Sequence, residues 1–341
     1  MIPRSHSCEF GAPDVLRLAA RLGLGVLLAA AVLHLLHRLE WLPAPVPGDV
    51  DRTILAAKAR LALEAPPASL VMIGDSSCLM DVDAPLLSRL IAPGSALNLG
   101  TLSYLDLPAH GALLDRFVRR HPGSGPATVL VLLHPEALRW GSPRDEFTGY
   151  LRNRLDPTRP REALSPARGV ADAWLGGPIF RERILHPLLP VPLPGPFGVG
   201  YGCNRDLGQT LIQRQGSLTD PERFDAADLQ GNAEYRLGGS IETASRGFTR
   251  FRPPGARLVV GITPVPEGFA ARDHDAKVRT MLETWAGWMG ADRALTNLPG
   301  RLPNSLFATH THLNAEGADL FTRRLAEELR PTADPQRPQN R

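Results

Sequence analysis

Cysteine is scarce. There are three in 341 residues, Cys8, Cys78 and Cys203. An odd number this small builds no disulfide framework, and the three lack the spacing of a zinc site. Charge of one sign is also lacking: the formal net charge is +3, the pI is about 9.0, and Arg, Asp and Glu are interspersed. No nucleic-acid motif is present, so nucleic acid is not expected as a partner. No internal repeat is evident. Glycine and proline, in contrast, are abundant, at 32 and 33 residues. Much of the excess lies between Trp140 and Pro254, which points to long irregular connections there. A chain of this length can bury one large core, or one core with a substantial insertion.

Residues 22–36 read LGLGVLLAAAVLHLL, with His34 the clear polar interruption. Extended to 15–39, the run nears the roughly 20 residues that span a bilayer. Arg4, Arg17 and Arg21 precede it, which places its N-terminal side in the cytoplasm. An uncleaved signal anchor is expected, with a cleaved signal peptide as the rival. The small residues Ala29–Ala31 sit mid-run, and His37, Arg38 and Trp41 follow it, which favours the anchor. Pro43, Pro45 and Pro47 make a stiff spacer. Cys8 then stays on the reducing side. Cys78 and Cys203 either pair in an oxidising compartment or stand as two partly buried thiols.

Beyond the spacer, short apolar runs alternate with helical patterns. Strands are expected at 70–73, 96–99, 128–133 and 257–263. Helices are expected at 51–64, 84–91, 106–120 (capped by Asp106), 276–289 and from Asn314 onward. Such alternation predicts a parallel α/β sheet, and runs apolar throughout, such as VLVLL, predict a sheet covered on both faces. Functional groups then gather at the carboxyl ends of the strands. Ser76, the loop after Leu99, His134 and Thr263 fall there. The interval at about 140–254 breaks the alternation and is read as an insertion over this edge, with helices of its own at 161–175 and 178–186. The expected organisation is a cytoplasmic tail and anchor over 1–42, the spacer at 43–50, the α/β domain over 51–330 and a disordered tail at 331–341.

The residues that carry chemistry are Gly74-Asp75-Ser76-Ser77, directly behind the apolar run 70–73, and the late His312-Leu313-Asn314-Ala315-Glu316-Gly317. Serine is a weak nucleophile and needs an adjacent base. A serine at the mouth of a sheet and a histidine ahead of the terminal helix are suited to meet. His310, two residues away, is the alternative base. Cys78 is expected to be a packed residue, and His134 a strand-end histidine.

Together with Asn98-Leu99-Gly100 and Thr309-His310-Thr311-His312, these blocks resemble the SGNH/GDSL hydrolase superfamily in order and spacing over about residues 66–330, the insertion aside. With the N-terminal anchor, they are most similar to its envelope-associated branch. That branch includes D-alanine transfer proteins and the partners of membrane-bound O-acyltransferases in polysaccharide acetylation. The resemblance implies a three-layer α/β/α, flavodoxin-like fold. It implies Ser76 as nucleophile, His312 as general base, and the Ser76 and Gly100 N–H groups as oxyanion donors. Asp75, Asn98, Thr309, His310, His134 and Glu136 are possible supporting residues. It implies no metal and no cofactor. The chain departs from the pattern twice. Thr309 stands where the family has the acid that orients the histidine. Leu133-His134-Pro135-Glu136 replaces the Gly-x-Asn-Asp block, so its Asn donor is missing. A Ser-His dyad, a backbone carbonyl behind His312, and an acid from elsewhere (Glu136 or Asp292) all stay open.

Two functions follow. The first is a single-pass protein of the inner membrane whose extracytoplasmic domain is a serine esterase or acyl transferase acting on O-acyl groups of an envelope polysaccharide, with a membrane-bound O-acyltransferase as a candidate partner. The second is a catalytically decayed module that binds the polysaccharide or the acyltransferase.

Overall fold

The computed structural model describes residues 12–38, 50–91, 95–103, 105–140, 145–155, 207–219 and 234–330. The Pro-rich spacer, the C-terminal tail, Cys8, Cys203 and the helices expected at 161–175 and 178–186 lie outside them. The chain divides into two units, residues 1–48 with 162–193, and 49–161 with 194–341.

In the first unit, α1 (Ala12–Arg38) covers the N-terminal apolar run. Among the described residues, no helix is long and apolar enough to cross a membrane.

The second unit is built on a parallel sheet of β1 (Leu70–Gly74), β2 (Ala96–Asn98), β3 (Thr128–Leu133), β4 (Arg257–Ile262) and β6 (Arg293–Ala294). The order is β2-β1-β3-β4-β6. Counting these five strands along the chain gives 2-1-3-4-5, the flavodoxin-like doubly wound order, in which function collects where the order reverses, between β1 and β3. A two-residue pair, β5 (Val265–Pro266) with β7 (Arg301–Leu302), lies apart from it.

Strand side chains alternate between faces, and the two faces feed separate apolar cores. Val71, Ile73, Val129, Val131 and Val260 pack under α2 (Val50–Glu64), α5 (Leu107–Arg120) and the later α10 (His274–Met289). Leu70, Met72, Leu130, Leu132 and Val259 pack under α4 (Ala84–Leu90) and the terminal α11 (Ala315–Leu329). Burial on both faces explains why no central strand alternates in polarity. The expected caps are in place. Asp106 accepts from the Ala109 N–H (2.7 Å) and Asn314 from the Gly317 N–H (3.0 Å).

The interval at 140–254 differs from an added layer. Three of its helices are described: α7 (Asp145–Leu155), α8 (Leu207–Gln213) and α9 (Gly239–Phe248). Leu151, Leu211 and Phe248 are fully buried in the same core as β1 and β3. These parts of the interval help hold the fold together.

Candidate active site

Ser76 opens α3 (Ser76–Asp81), immediately beyond β1. Its N–H, at the first helical position, has no intrahelical acceptor. Asp75 caps this helix and accepts from the N–H groups of Ser77 (3.0 Å) and Cys78 (3.4 Å) through Oδ1. Its Oδ2 accepts from the His134 N–H at 2.9 Å. One carboxyl group thus ties the end of β1 to the end of β3, so Asp75 braces the site. Burial pushes its pKa up to about 6, against the lowering by these three N–H groups.

Asn98 is also a brace. Its Oδ1 accepts from the Gly100 N–H (2.8 Å), and its Nδ2 donates to Cys78 O (2.7 Å) and Ser217 Oγ (3.3 Å). The Gly100 N–H is therefore already engaged, and it serves an oxyanion only by sharing. Glycine is required here because a Cβ would come within 2.8 Å of Cys78 Sγ and 2.9 Å of Asn98 Oδ1. Behind Asn98 lies a residue that sequence reading missed. Lys58 of α2 is fully buried and donates to Asn98 O (2.9 Å) and Gly216 O (2.5 Å). Burial lowers its pKa to about 7. Cys78 is buried and free, and burial pushes its thiol pKa far up, which fits a packed residue and not a nucleophile.

His312 is buried and His310 is exposed, with the His310 ring stacked on Phe269 (5.9 Å). The turn carrying His312 is docked on α3 from both sides. Ser77 Oγ donates to Thr311 O (3.3 Å), and the Leu313 N–H donates to Asp81 Oδ1 (2.8 Å). Burial raises the Asp81 pKa well above the carboxylate range. Ser76 and His312 are thereby brought to one edge, although among the described residues no hydrogen bond joins them.

Thr309 does occupy the orienting position. Its Oγ1 lies 2.9 Å from His312 Nδ1. It also accepts from the N–H groups of Thr311 (3.2 Å) and His312 (3.0 Å), and its own proton has two acceptors in reach, His312 Nδ1 and Thr311 Oγ1 (3.4 Å). Given to Nδ1, that proton would hold the ring proton on Nε2. Thr311 Oγ1, 3.2 Å from Nδ1, supports the opposite tautomer by accepting Nδ1–H, which frees Nε2 as a base. A carboxylate would only accept, and would enforce the base form. Burial first, and His310 second, lower the His312 pKa to about 4, so the ring is neutral near pH 7.

His134 lies at the end of β3, 4% exposed. Its C=O accepts from the Ala137 N–H (2.9 Å) and its Nδ1 from the Glu136 N–H (3.2 Å). It is the cap of α6 (Pro135–Trp140), with Pro135 at the favoured first position. Tyr235 packs edge-on against its ring (5.9 Å) and against His274 (5.6 Å). The Glu136 carboxylate lies 3.7 Å from Arg139. Asp292 is removed from the candidates for the orienting acid. It accepts from the Leu258 N–H (2.7 Å) and Arg252 (2.6 Å) at the amino end of β4, opposite the site.

Two surface clefts, one of about 220 Å³ beside Glu64 and Ser95 and one of about 400 Å³ beside Arg279 and Thr296, exclude Ser76 and His312. Their polar groups are engaged elsewhere, Ser95 Oγ with Pro67 O, Glu64 with Arg60 and Asp275 with Arg301, so the chemistry points to the sheet edge instead. Among the described residues, no group of three or more His, Cys, Asp or Glu side chains is placed to hold a metal ion. Compared with known proteins, the chain matches no protein-family model, no curated protein and no solved structure.

Proposed function

We propose that this chain is a membrane-anchored serine esterase or acyl transferase. It acts outside the cytoplasm, through Ser76 and His312, on O-acyl groups of a cell-envelope polysaccharide. One observation carries the reading. The Ser77–Thr311 and Asp81–Leu313 hydrogen bonds join segments 234 and 232 residues apart, and they set the buried imidazole against the helix that Ser76 begins. The resemblance to the SGNH/GDSL superfamily supports the same assignment, and the flavodoxin-like strand order suits its three-layer fold.

In this reading Ser76 Oγ attacks the acyl carbonyl carbon while His312 Nε2 takes its proton. The C–O bond to the donor alcohol breaks, and that alcohol leaves with the proton. A sugar hydroxyl, for transfer, or water, for hydrolysis, then attacks the Ser76 ester. Its proton passes through His312 back to Ser76 Oγ. The cycle consumes no cofactor. A membrane-bound O-acyltransferase as acyl donor is part of the proposal and rests on the resemblance.

The anchor belongs to the same proposal. It is supported by the position of α1 and by its apolar side chains, such as Leu16, Val26 and Leu27, each more than 65% exposed. Alkaline phosphatase fused after Pro47 is expected to be active. Activity confined to a cytoplasmic reporter would remove the envelope reading.

A second reading is favoured by Thr309 in place of an acid: a decayed module that binds polysaccharide or an acyltransferase. A fluorophosphonate probe separates the two. The first reading expects an adduct on Ser76 that is absent from Ser76→Ala, and the second expects no adduct.

A further inference from the structure

We propose that His134 is an oxyanion donor of this site, its Nε2–H hydrogen-bonding the carbonyl oxygen of an ester substrate together with the Ser76 N–H. The inference rests on the reading of Ser76 as nucleophile.

The tautomer comes first. Because Nδ1 accepts the Glu136 N–H (3.2 Å), it carries no proton, and a neutral imidazole then bears its proton on Nε2. Burial, with the nearby imidazoles of His312, His310 and His274, lowers the His134 pKa to about 3, so the ring stays neutral in the working range. Among the described residues, Nε2 is buried without a hydrogen-bond partner. Leaving a buried donor unmade is costly, and such an orphan next to candidate chemistry calls for a ligand.

Position comes second. β1 and β3 are paired in register, Gly74 opposite Leu132. Ser76 follows two residues after Gly74 at the first position of α3, and His134 follows two residues after Leu132 as the cap of α6. Asp75 Oδ2 holds the His134 backbone directly beside the nucleophile's segment (2.9 Å). Tyr235 fixes the ring plane edge-on.

Chemistry comes third. When Ser76 Oγ adds to the carbonyl carbon, charge develops on the carbonyl oxygen, and fixed donors aimed there stabilise the transition state. The Gly100 N–H is committed to Asn98 Oδ1 (2.8 Å), and this chain has no asparagine at the end of β3. A neutral imidazole N–H is a competent electrophile. It moves no proton in the step, so the balance written above is unchanged. The site therefore takes a neutral carbonyl ester whose oxygen fits between the Ser76 N–H and His134 Nε2.

The experiment uses the full chain, a small activated ester and a fluorophosphonate. His134→Leu is expected to lower kcat about 100-fold with KM little changed, the loss typical of one such donor. His134→Gln, which keeps a side-chain N–H, is expected to retain most of the rate. If a folded His134→Leu turns over like wild type, the donor role is overturned while the nucleophile reading survives. If wild type and Ser76→Ala are equally unreactive, the nucleophile reading falls and takes this proposal with it. Should His134→Leu fail to fold, ¹⁵N and ¹H spectra of wild type decide instead. A His134 Nε2–H resonance that moves downfield in the Ser76 phosphonyl adduct supports the role. A resonance unmoved by the adduct, or a proton found on Nδ1, overturns it.

Discussion

Lys58→Met is the substitution whose outcome the structure specifies most closely. The Lys58 ammonium sits in α2 with no solvent contact, and its two acceptors are the carbonyl oxygens of Asn98 and Gly216. A neutral lysine amine has two N–H donors, so both are used and the neutral form is satisfied. Burial lowers the folded pKa to about 7 from 10.5. Between those values the unfolded chain holds a proton that the folded chain has lost. Unfolding therefore takes up a proton, and raising the pH stabilises the fold. From pH 7 to pH 10 this gain is about 3–4 kcal/mol, at about 1.4 kcal/mol per pKa unit. Methionine removes the titration and leaves two carbonyls without the amine, at about 1–3 kcal/mol each. Near pH 7 the loss of the charge penalty and the loss of the hydrogen bonds largely offset each other, and the two proteins should be of similar stability. At pH 10 wild type should be the more stable by about 3–4 kcal/mol. Urea unfolding of both proteins at pH 7 and pH 10, followed by circular dichroism, measures the difference. A difference that does not change with pH would refute the buried, readily deprotonated amine.

Gly216 has φ +92° and a Cβ there would meet Asn98 O at 1.8 Å. Gly216→Ala should therefore cost at least about 2 kcal/mol, seen as a lowered urea midpoint; an unchanged midpoint would contradict the packing. Burial holds His110 and His312 near pKa 4 and His134 near 3, against 6.5. The unfolded chain binds protons that these rings refuse, so stability should fall as pH drops from 6.5 towards 4. Asp75, raised to about 6, works in the opposite sense, losing stability as pH rises from 3.8 to 6. A urea midpoint that rises on acidification from pH 6.5 to 4.5 would mean that the histidines do not dominate. Thr309→Asp should raise ester turnover, roughly tenfold or more, by holding His312 in the base tautomer; a fall in turnover with the fold intact would show that the hydroxyl pair is the working arrangement.

The central strands were legible because burial on both faces leaves uninterrupted apolar runs, and the caps at Asp106 and Asn314 announced two helices. β6 was not, since Arg293–Ala294 is two residues long and neither is fully buried. The interval after Trp140 reads as an appendage because its prolines mask the apolar faces of α7 and α9, whose Leu151 and Phe248 complete the core. At the candidate site, motif and position single out Ser76 at a helix start, with Asp75 as its cap, and a histidine turn in which His312 is buried and His310 exposed. Lys58 escaped notice because its partners are backbone carbonyls, which no spacing reveals. His134 was named as a strand-end histidine and a possible supporting residue, but the tautomer that the Glu136 N–H selects is not legible in spacing.

The central claim is that Ser76 and His312 act as one unit, and a double-mutant cycle on a small activated ester tests it most directly. Ser76→Ala and His312→Ala should each remove most of kcat. The double variant should be little slower than either single one, because groups that act together are strongly non-additive. Full activity in Ser76→Ala, or losses that simply multiply in the double variant, would contradict it.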